Sequence, residues 1–322
     1  MAITLNVNRF LGTLTNLIAY SQVADTAERG NMSKLVDSCR DINVDNGDGK
    51  VILSANLPAV SDLSGQSSLL TSKPPEVDEQ YVSVTNFKVI QMTINRYLVR
   101  GAFVDETQMA TFVAYLLSIM RTAKEAFIYK QLVNLIASYV PTQSSQTVTI
   151  DIIDTSTLAD PAQLNQANIY NANKIQKEFI RILNEMGAPT DKFNDNQFTE
   201  VIDLKSLNLF VKGNTNNDII VDSLAFLLNS NKITEEQKWN DTIVIPNGQF
   251  EEDEPNTIAW LAHKKKFQHG SFYEVATSFF DASTLNQSDW LHFAYYLGII
   301  DAYPAVKFVI NKSIQPSALA QA

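Results

Sequence analysis

This chain has a single cysteine, Cys39, so it forms no intrachain disulfide and supplies no thiolate cage for a metal. A reducing compartment such as a cytoplasm fits that usage, and Cys39 reads by default as a small buried hydrophobe. Basic charge is scarce too: 25 Lys and Arg stand against 35 Asp and Glu, a net charge of −10. Such a surface does not grip phosphate backbones, which takes clustered cations. Long apolar runs are missing. The longest, Met109 to Met120, contains Thr111 and Ser118 and stops at Arg121, too short to cross a bilayer. Met1 to Tyr20 lacks a basic n-region and is interrupted by Asn6, Asn8, Arg9 and Asn16, so no secretory signal is expected. No repeat of 20 to 50 residues is evident. Apolar mass, by contrast, is ample. The 322 residues are 45% hydrophobic and 10% aromatic, enough for one large domain or two ordinary ones.

Catalytic motifs are equally sparse. There is no phosphate-binding Walker loop, no His-Glu-x-x-His pair and no Gly-x-Ser-x-Gly elbow. Gly47 and Gly49 lack the third glycine and following helix of a dinucleotide fingerprint. Asp41, Asn43 and Asp45 have the spacing that begins a calcium loop, but Asn46 stands where its glycine belongs and Ile52 where its bidentate glutamate belongs. A turn is the expected reading. The three histidines are His263, His269 and His292. The first two flank Lys264, Lys265 and Lys266, which repel a divalent metal and depress a nearby histidine pKa. His292 falls on an alternating strand and reads as a sheet-surface residue. Glu235-Glu236 and Glu251-Glu252 are adjacent carboxylates in polar segments, not a convergent acid–base pair. No metal, cofactor or catalytic residue is assigned.

Along the chain, residues 1–46 read as a tether with short helices: Phe10, Leu11, Leu14, Leu17 and Ile18 form one stripe, and Leu35, Val36 and Cys39 another. The run Asp45-Asn46-Gly47-Asp48-Gly49 is a turn, leading into a strand at 51–57. A polar stretch from Ser61 to Asp78 separates it from a β-rich return, Tyr81 to Val99. Together these limbs read as a projecting hairpin, ordered mainly by partners. Asp105 to Tyr139 reads as one helix of roughly 50 Å at about 1.5 Å per residue, with Asp105 as N-cap and Gln108 at the capping-box position. Met109, Phe112, Val113, Leu116, Met120, Ala123 and Phe127 mark its apolar face; Arg121, Lys124, Glu125 and Lys130 mark the solvated one. After Pro141 come a strand at 148–153 and a helix from Asp160-Pro161 to Met186, stopped by Gly187 and Pro189. An α/β alternation follows: strand 198–202, helix 203–211, an apolar 223–228 and strand 241–245. The last section is β, with strands at 257–262, 272–280, 291–299 and 306–310.

This order of elements resembles the tailed-phage major capsid protein, the α+β Johnson fold, over nearly the whole chain. Phe272-Tyr273-Glu274-Val275-Ala276-Thr277-Ser278-Phe279-Phe280-Asp281-Ala282, followed by Trp290-Leu291-His292-Phe293, looks like the terminal strands of capsid proteins from short-tailed phages. Thr15-Asn16-Leu17-Ile18-Ala19-Tyr20-Ser21 resembles their arms. The resemblance implies an N-terminal arm at 1–46, an extended β-hairpin loop at 47–90 and a peripheral domain at 91–160 with its spine helix at 105–139. It further implies an axial α/β domain at 161–262 and a return to the peripheral domain with a C-terminal tail at 263–322. The family has no catalytic residue to carry over, and the crosslinking lysine and asparagine of one of its branches match no positions here.

The function so implied is geometric: hexamers and pentamers of this subunit close an icosahedral shell around double-stranded DNA, assembled in the host cytoplasm. A separate scaffolding protein and a portal are implied as partners, packaged DNA is contacted loosely by the acidic surface, and no membrane is involved. Expected contacts are the arm stripe Phe10, Leu14 and Leu17, and the loop tip with Leu63, Leu69, Leu70, Pro74 and Pro75. A third is the acidic run Glu251, Glu252, Asp253 and Glu254 of one subunit against Lys264, Lys265 and Lys266 of another. The basic run alone reads as a solvated turn; contact with nucleic acid is a weaker third reading. Two rivals stand: a soluble α/β enzyme with a dispersed active site, and another phage structural component such as a tail or adaptor protein. An enzyme folds 47–90 over a cleft as a lid; a shell subunit projects it.

Overall fold

The computed structural model describes residues 30–41, 49–58, 74–83, 86–95, 97, 106–213, 239–246 and 256–314. The arm stripe, Leu63, Leu69 and Leu70, the 223–228 segment, the Asp105 cap, the rest of the calcium-like loop after Asp41 and the acidic run 251–254 lie outside them. The chain divides into two compact units: 1–49, 83–132 and 269–297 form the first, and 50–82, 133–268 and 298–322 the second.

In the first unit, α1 (Gly30–Ser38) buries Leu35 and Val36, and Cys39 follows it into the core. The expected stripe is therefore a real one. His269 ties this helix to strand β8 (Phe267–Asp281): its Nε2 lies 2.7 Å from the Val36 carbonyl, and its backbone exchanges bonds with Cys39 and Asp41. Helix α2 (Glu106–Ala137) runs through 32 residues without glycine or proline, about 48 Å at 1.5 Å per residue. Phe112, Leu116 and Met120 are buried as their spacing predicts. Phe127 meets Phe293 and Tyr295 edge-on, at centroid distances of 6.1 and 5.5 Å. Two positions depart from the expectation. Ala123 is exposed, and Lys124 on the supposedly solvated side is only 12% exposed, paired with Glu274 at 2.6 Å and lying over the Phe293 ring. A long aliphatic stem lets lysine cover apolar surface while its amine finds a carboxylate.

Strand β3 (Asn86–Asn95) pairs antiparallel with β9 (Asn286–Ile299), from Asn86↔Tyr295 to Asn95↔Asn286 without a slip, and β8 lies on the other side of β9. Gly270 sits against Tyr296, where a Cβ would stand 2.9 Å from the ring's Cζ, so glycine permits that close approach.

The second unit carries a mixed five-stranded sheet in the order β4-β10-β7-β5-β6. These are β4 (Thr147–Ile153), β5 (Leu207–Gly213), β6 (Asp241–Pro246), β7 (Thr257–His263) and β10 (Ala305–Ile314). β10 runs parallel to β4 and antiparallel to β7, and β5 parallel to β6 and antiparallel to β7. Helix α3 (Pro161–Met186) packs its Ile175, Phe179, Ile182, Leu183 and Met186 into the sheet's core, with Phe179 stacked 4.0 Å from Phe308. Its start follows the sequence reading: Asp160 accepts from Ala162 N at 3.0 Å and Pro161 needs no donor there. The edge strand β4 is held by Asn171, whose amide donates to the Ile153 carbonyl and accepts from its N–H.

Two expectations fail here. The helix anticipated at 203–211 is a 3₁₀ turn at Leu204–Ser206 followed by β5. Asp203 does cap that turn, accepting from Lys205 N, but Leu207 to Val211 are buried on both faces of the sheet. Five successive buried residues, the polar Asn208 among them, leave no one-sided period to distinguish helix from strand. The strand anticipated at 198–202 is only an isolated bridge between Thr190 and Glu200. The expected domain limits also differ from the observed units. β4 and β10, anticipated in the peripheral part, pair with each other in the five-stranded sheet, and the loop limit at 90 falls inside β3.

Candidate subunit interface

Strands β1 (Gly49–Ala55) and β2 (Val77–Ser83) form a separate two-stranded ribbon. Period-2 geometry sends alternate side chains to opposite faces. Val51, Leu53, Val77 and Tyr81 are 55%, 67%, 55% and 63% exposed, whereas Val82 is buried. The ribbon thus shows an apolar face to solvent, which an isolated protein ordinarily avoids. Pro74 and Pro75, just before β2, are exposed as well.

The opposite side is fastened by polar contacts. Asn196 donates to Ser54 Oγ and Asp78 Oδ2, each at 3.0 Å, and Thr199 N donates to Asn56 Oδ1 at 2.9 Å. The Gln80 amide spans Ile299 and Asp301: its Nε2 donates to the Ile299 carbonyl at 2.8 Å and its Oε1 accepts from Asp301 N at 2.9 Å. Gly298 allows Val82 to come close, since a Cβ there would lie 3.2 Å from Val82 Cγ1.

The basic run divides. It forms the turn between β7 and β8, with Lys264 and Lys265 exposed but Lys266 fully buried. Lys266 is therefore not a surface contact: its amine pairs with Asp195 at 2.5 Å and lies 5.1 Å from the Tyr139 ring centroid. An unpaired ammonium would be costly in that site, so the charge is neutralised inside the subunit. Asp195 also accepts from Gln146 Nε2 at 2.9 Å, Tyr139 Oη at 3.3 Å and Thr142 N at 3.4 Å. Burial works to raise its carboxyl, but Lys266 and these donors hold it below the usual range. Burial lowers the Lys266 amine against the pull of Asp195, Asp301 and Glu200. Burial likewise raises Glu200 and Asp301. His263 stacks on Tyr303 at 4.4 Å, and burial, followed by Lys264 and Lys265, lowers it to about 4.

The first unit has its own exposed apolar residues: Phe87 and Val89 on β3, and Phe279 and Phe280 on β8. Val89 pairs with His292, which is half-buried on this sheet. Of the contact residues anticipated from sequence, the described ones therefore stand as exposed Pro74, Pro75, Lys264 and Lys265 and buried Lys266. The ribbon's exposed apolar face was not anticipated from sequence, although the odd-numbered spacing of Val51, Leu53, Val77 and Tyr81 is its signal. The Asp195–Lys266 pair has no local signal, because its partners are 71 residues apart.

Residues 50–309 match the family model of the Phi29-like phage major capsid protein. Curated protein sequences give no match. Among solved structures, the capsid structure of Staphylococcus phage Andhra aligns over 92% of this chain and 86% of that one, at 9% identity and TM-score 0.63. The capsid structure of the cyanophage P-SCSP1u aligns over 92% and 91%, at 9% identity and TM-score 0.55. The mature capsid of bacteriophage PhiM1 aligns over 92% and 90%, at 10% identity and TM-score 0.51. These likenesses share the fold that the element order resembles, and family and neighbours are structural proteins of capsids. The match over most of the chain leaves the enzyme and tail-or-adaptor readings without support. The chain belongs to the Phi29-like phage major capsid protein family, has the Johnson fold, and serves as the major capsid protein of a tailed phage.

Proposed function

We propose that copies of this subunit meet as hexamers and pentamers of an icosahedral shell around double-stranded DNA, each laying its β1–β2 ribbon on a neighbour. The observation that carries this reading is the exposed apolar face of Val51, Leu53, Val77 and Tyr81 on an otherwise anchored ribbon. Burying one such side chain contributes about 1.5–3 kcal/mol, and repeated contacts multiply into a stable shell. The contacts are heterologous and end when the shell closes. In this reading the second unit is the axial domain and the first, with most of α2 as its spine, the peripheral domain. The arm stripe Phe10, Leu14 and Leu17 docks across a neighbour, as does the loop tip with Leu63, Leu69, Leu70, Pro74 and Pro75. Exposed Lys264 and Lys265 meet Glu251 to Glu254 of another copy, each pair giving only about 0–1 kcal/mol. The subunit performs no catalysis, carries no cofactor and contacts no membrane. It assembles in the host cytoplasm with a separate scaffolding protein and a portal, and its charge of −10 keeps packaged DNA loosely held.

The test is the full chain carrying Leu53→Asp and Tyr81→Asp, assembled beside the parent and viewed by negative-stain electron microscopy. Both positions are exposed, so the thermal midpoint should stay within a degree or two while closed shells and hexamer sheets disappear. Normal particles from this variant would remove the ribbon from the interface.

A further inference from the structure

We propose that the buried Lys266–Asp195 pair is the device that positions the β1–β2 ribbon, setting the direction in which it leaves the subunit. The two strips that hold the ribbon, 194–199 and 298–301, come from distant parts of the chain and include no regular element among the residues from 194 to 199. Each residue of the ion pair is joined to one of them: Asp195 lies within 194–199, and the Lys266 backbone bonds to 298–301. On the Asp195 side, four donors converge on one carboxylate: Lys266 Nζ, Gln146 Nε2, Tyr139 Oη and Thr142 N. The very next residue, Asn196, reaches Ser54 and Asp78 of the ribbon. On the Lys266 side, the backbone carbonyl accepts from Ile300 N at 2.9 Å. The residues on either side of Ile300 grip Gln80 of the ribbon. Asp195 N donates to the Asp301 carbonyl at 3.1 Å and closes the circuit.

A buried ion pair is a poor way to gain stability, because desolvating both charges offsets most of their attraction. In this proposal its role is to enforce one geometry, since any other leaves a buried charge unpaired. That property suits a joint whose angle matters. A hinge angle is a demanding quantity in a shell subunit, as a small tilt of a contact arm becomes a change of curvature. The consequence for the shell rests on the ribbon being a neighbour contact, as proposed above; the anchoring itself does not.

Hydrogen exchange on the unassembled full chain separates the two ideas. The variants are Lys266→Met and the milder Asp195→Asn, which keeps the shape of the carboxylate and removes its charge. Phe179→Leu, a core change at the helix–sheet stack, serves as a control for general destabilisation. The expected result is exchange about tenfold faster in 50–56 and 76–82 for either pair variant, with α3 and β7 near parental protection. The Phe179→Leu control should slacken α3 and its sheet and leave the ribbon comparatively protected. Equal loosening of ribbon and sheet in both pair variants, or a ribbon no faster than in the control, would overturn the proposal. Particle diameter by electron microscopy then reads the consequence, with aberrant or polydisperse shells expected. A loosened ribbon with unchanged shells would uphold the anchor and sink the reading of the ribbon as a neighbour contact.

Discussion

At Gly270 and His263 single atoms decide what is tolerated. A Cβ at position 270 would clash with the edge of the Tyr296 ring, whose hydroxyl donates to Asp41. Gly270→Ala is expected to cost about 1–3 kcal/mol through overpacking, seen as a lower urea midpoint at unchanged slope. His263 is held uncharged, its pKa lowered to about 4 by burial and then by Lys264 and Lys265. An unfolded histidine takes its proton near pH 6.5, roughly, so below that value the unfolded state binds more protons than the folded one. This group's stability contribution is therefore full above about pH 6.5 and declines as the pH falls toward its folded value. His263→Phe keeps a ring against Tyr303 and should flatten the loss between pH 7 and pH 5 in urea titrations. Asp195 acts further down the scale. Its lowered carboxyl contributes stability above the unfolded value of about 3.9, lost as the pH falls through the folded value. None of this was visible in the run Lys264 to Lys266, where three identical letters hold two exposed amines and one buried one. A side chain's surroundings depend on what the turn brings beside it, not on its neighbours in the chain.

Elements with a period or a punctuation mark were legible. α3 announces itself by Asp160-Pro161 and ends at Gly187, and β9 alternates in burial from Asp289 to Phe293 before Phe293 to Tyr296 are buried in succession. α2 is written in the absence of Gly and Pro from 106 to 137. β5 was not legible, because Leu207 to Val211 are buried in succession, the polar Asn208 included, and so show no one-sided period. The cores behind these elements predict strong effects. Phe179→Ala is expected to cost about 3–5 kcal/mol, measured by urea denaturation, since it empties the space against Phe308. β2 and β3 read as one returning limb, yet they join different sheets. Only two residues separate them, so pairing partners rather than local preference decide the division.

For the whole molecule, charge and contact compete. Subunits of net charge −10 repel at long range, whereas the proposed ribbon contacts are apolar and short-range. Raising ionic strength from about 0.01 to 0.15 M shortens the screening length from about 30 to 8 Å. Assembly followed by light scattering is therefore expected to quicken over that range; slowing would place ionic attraction in charge instead. By itself the sequence determined that this chain lacks a disulfide frame, a nucleotide loop and a membrane-length run, and that a long helix joins a strand-rich arm to a β-rich end. Those properties are local: composition, period and punctuation are read within a few turns of chain. The tertiary structure alone decided that β4 and β10 share a sheet, that Lys266 is buried on Asp195, and that the ribbon is anchored at 194–199 and 298–301. Each of these joins residues dozens to hundreds apart, where loop closure and complementary packing choose the partner and no local pattern records it.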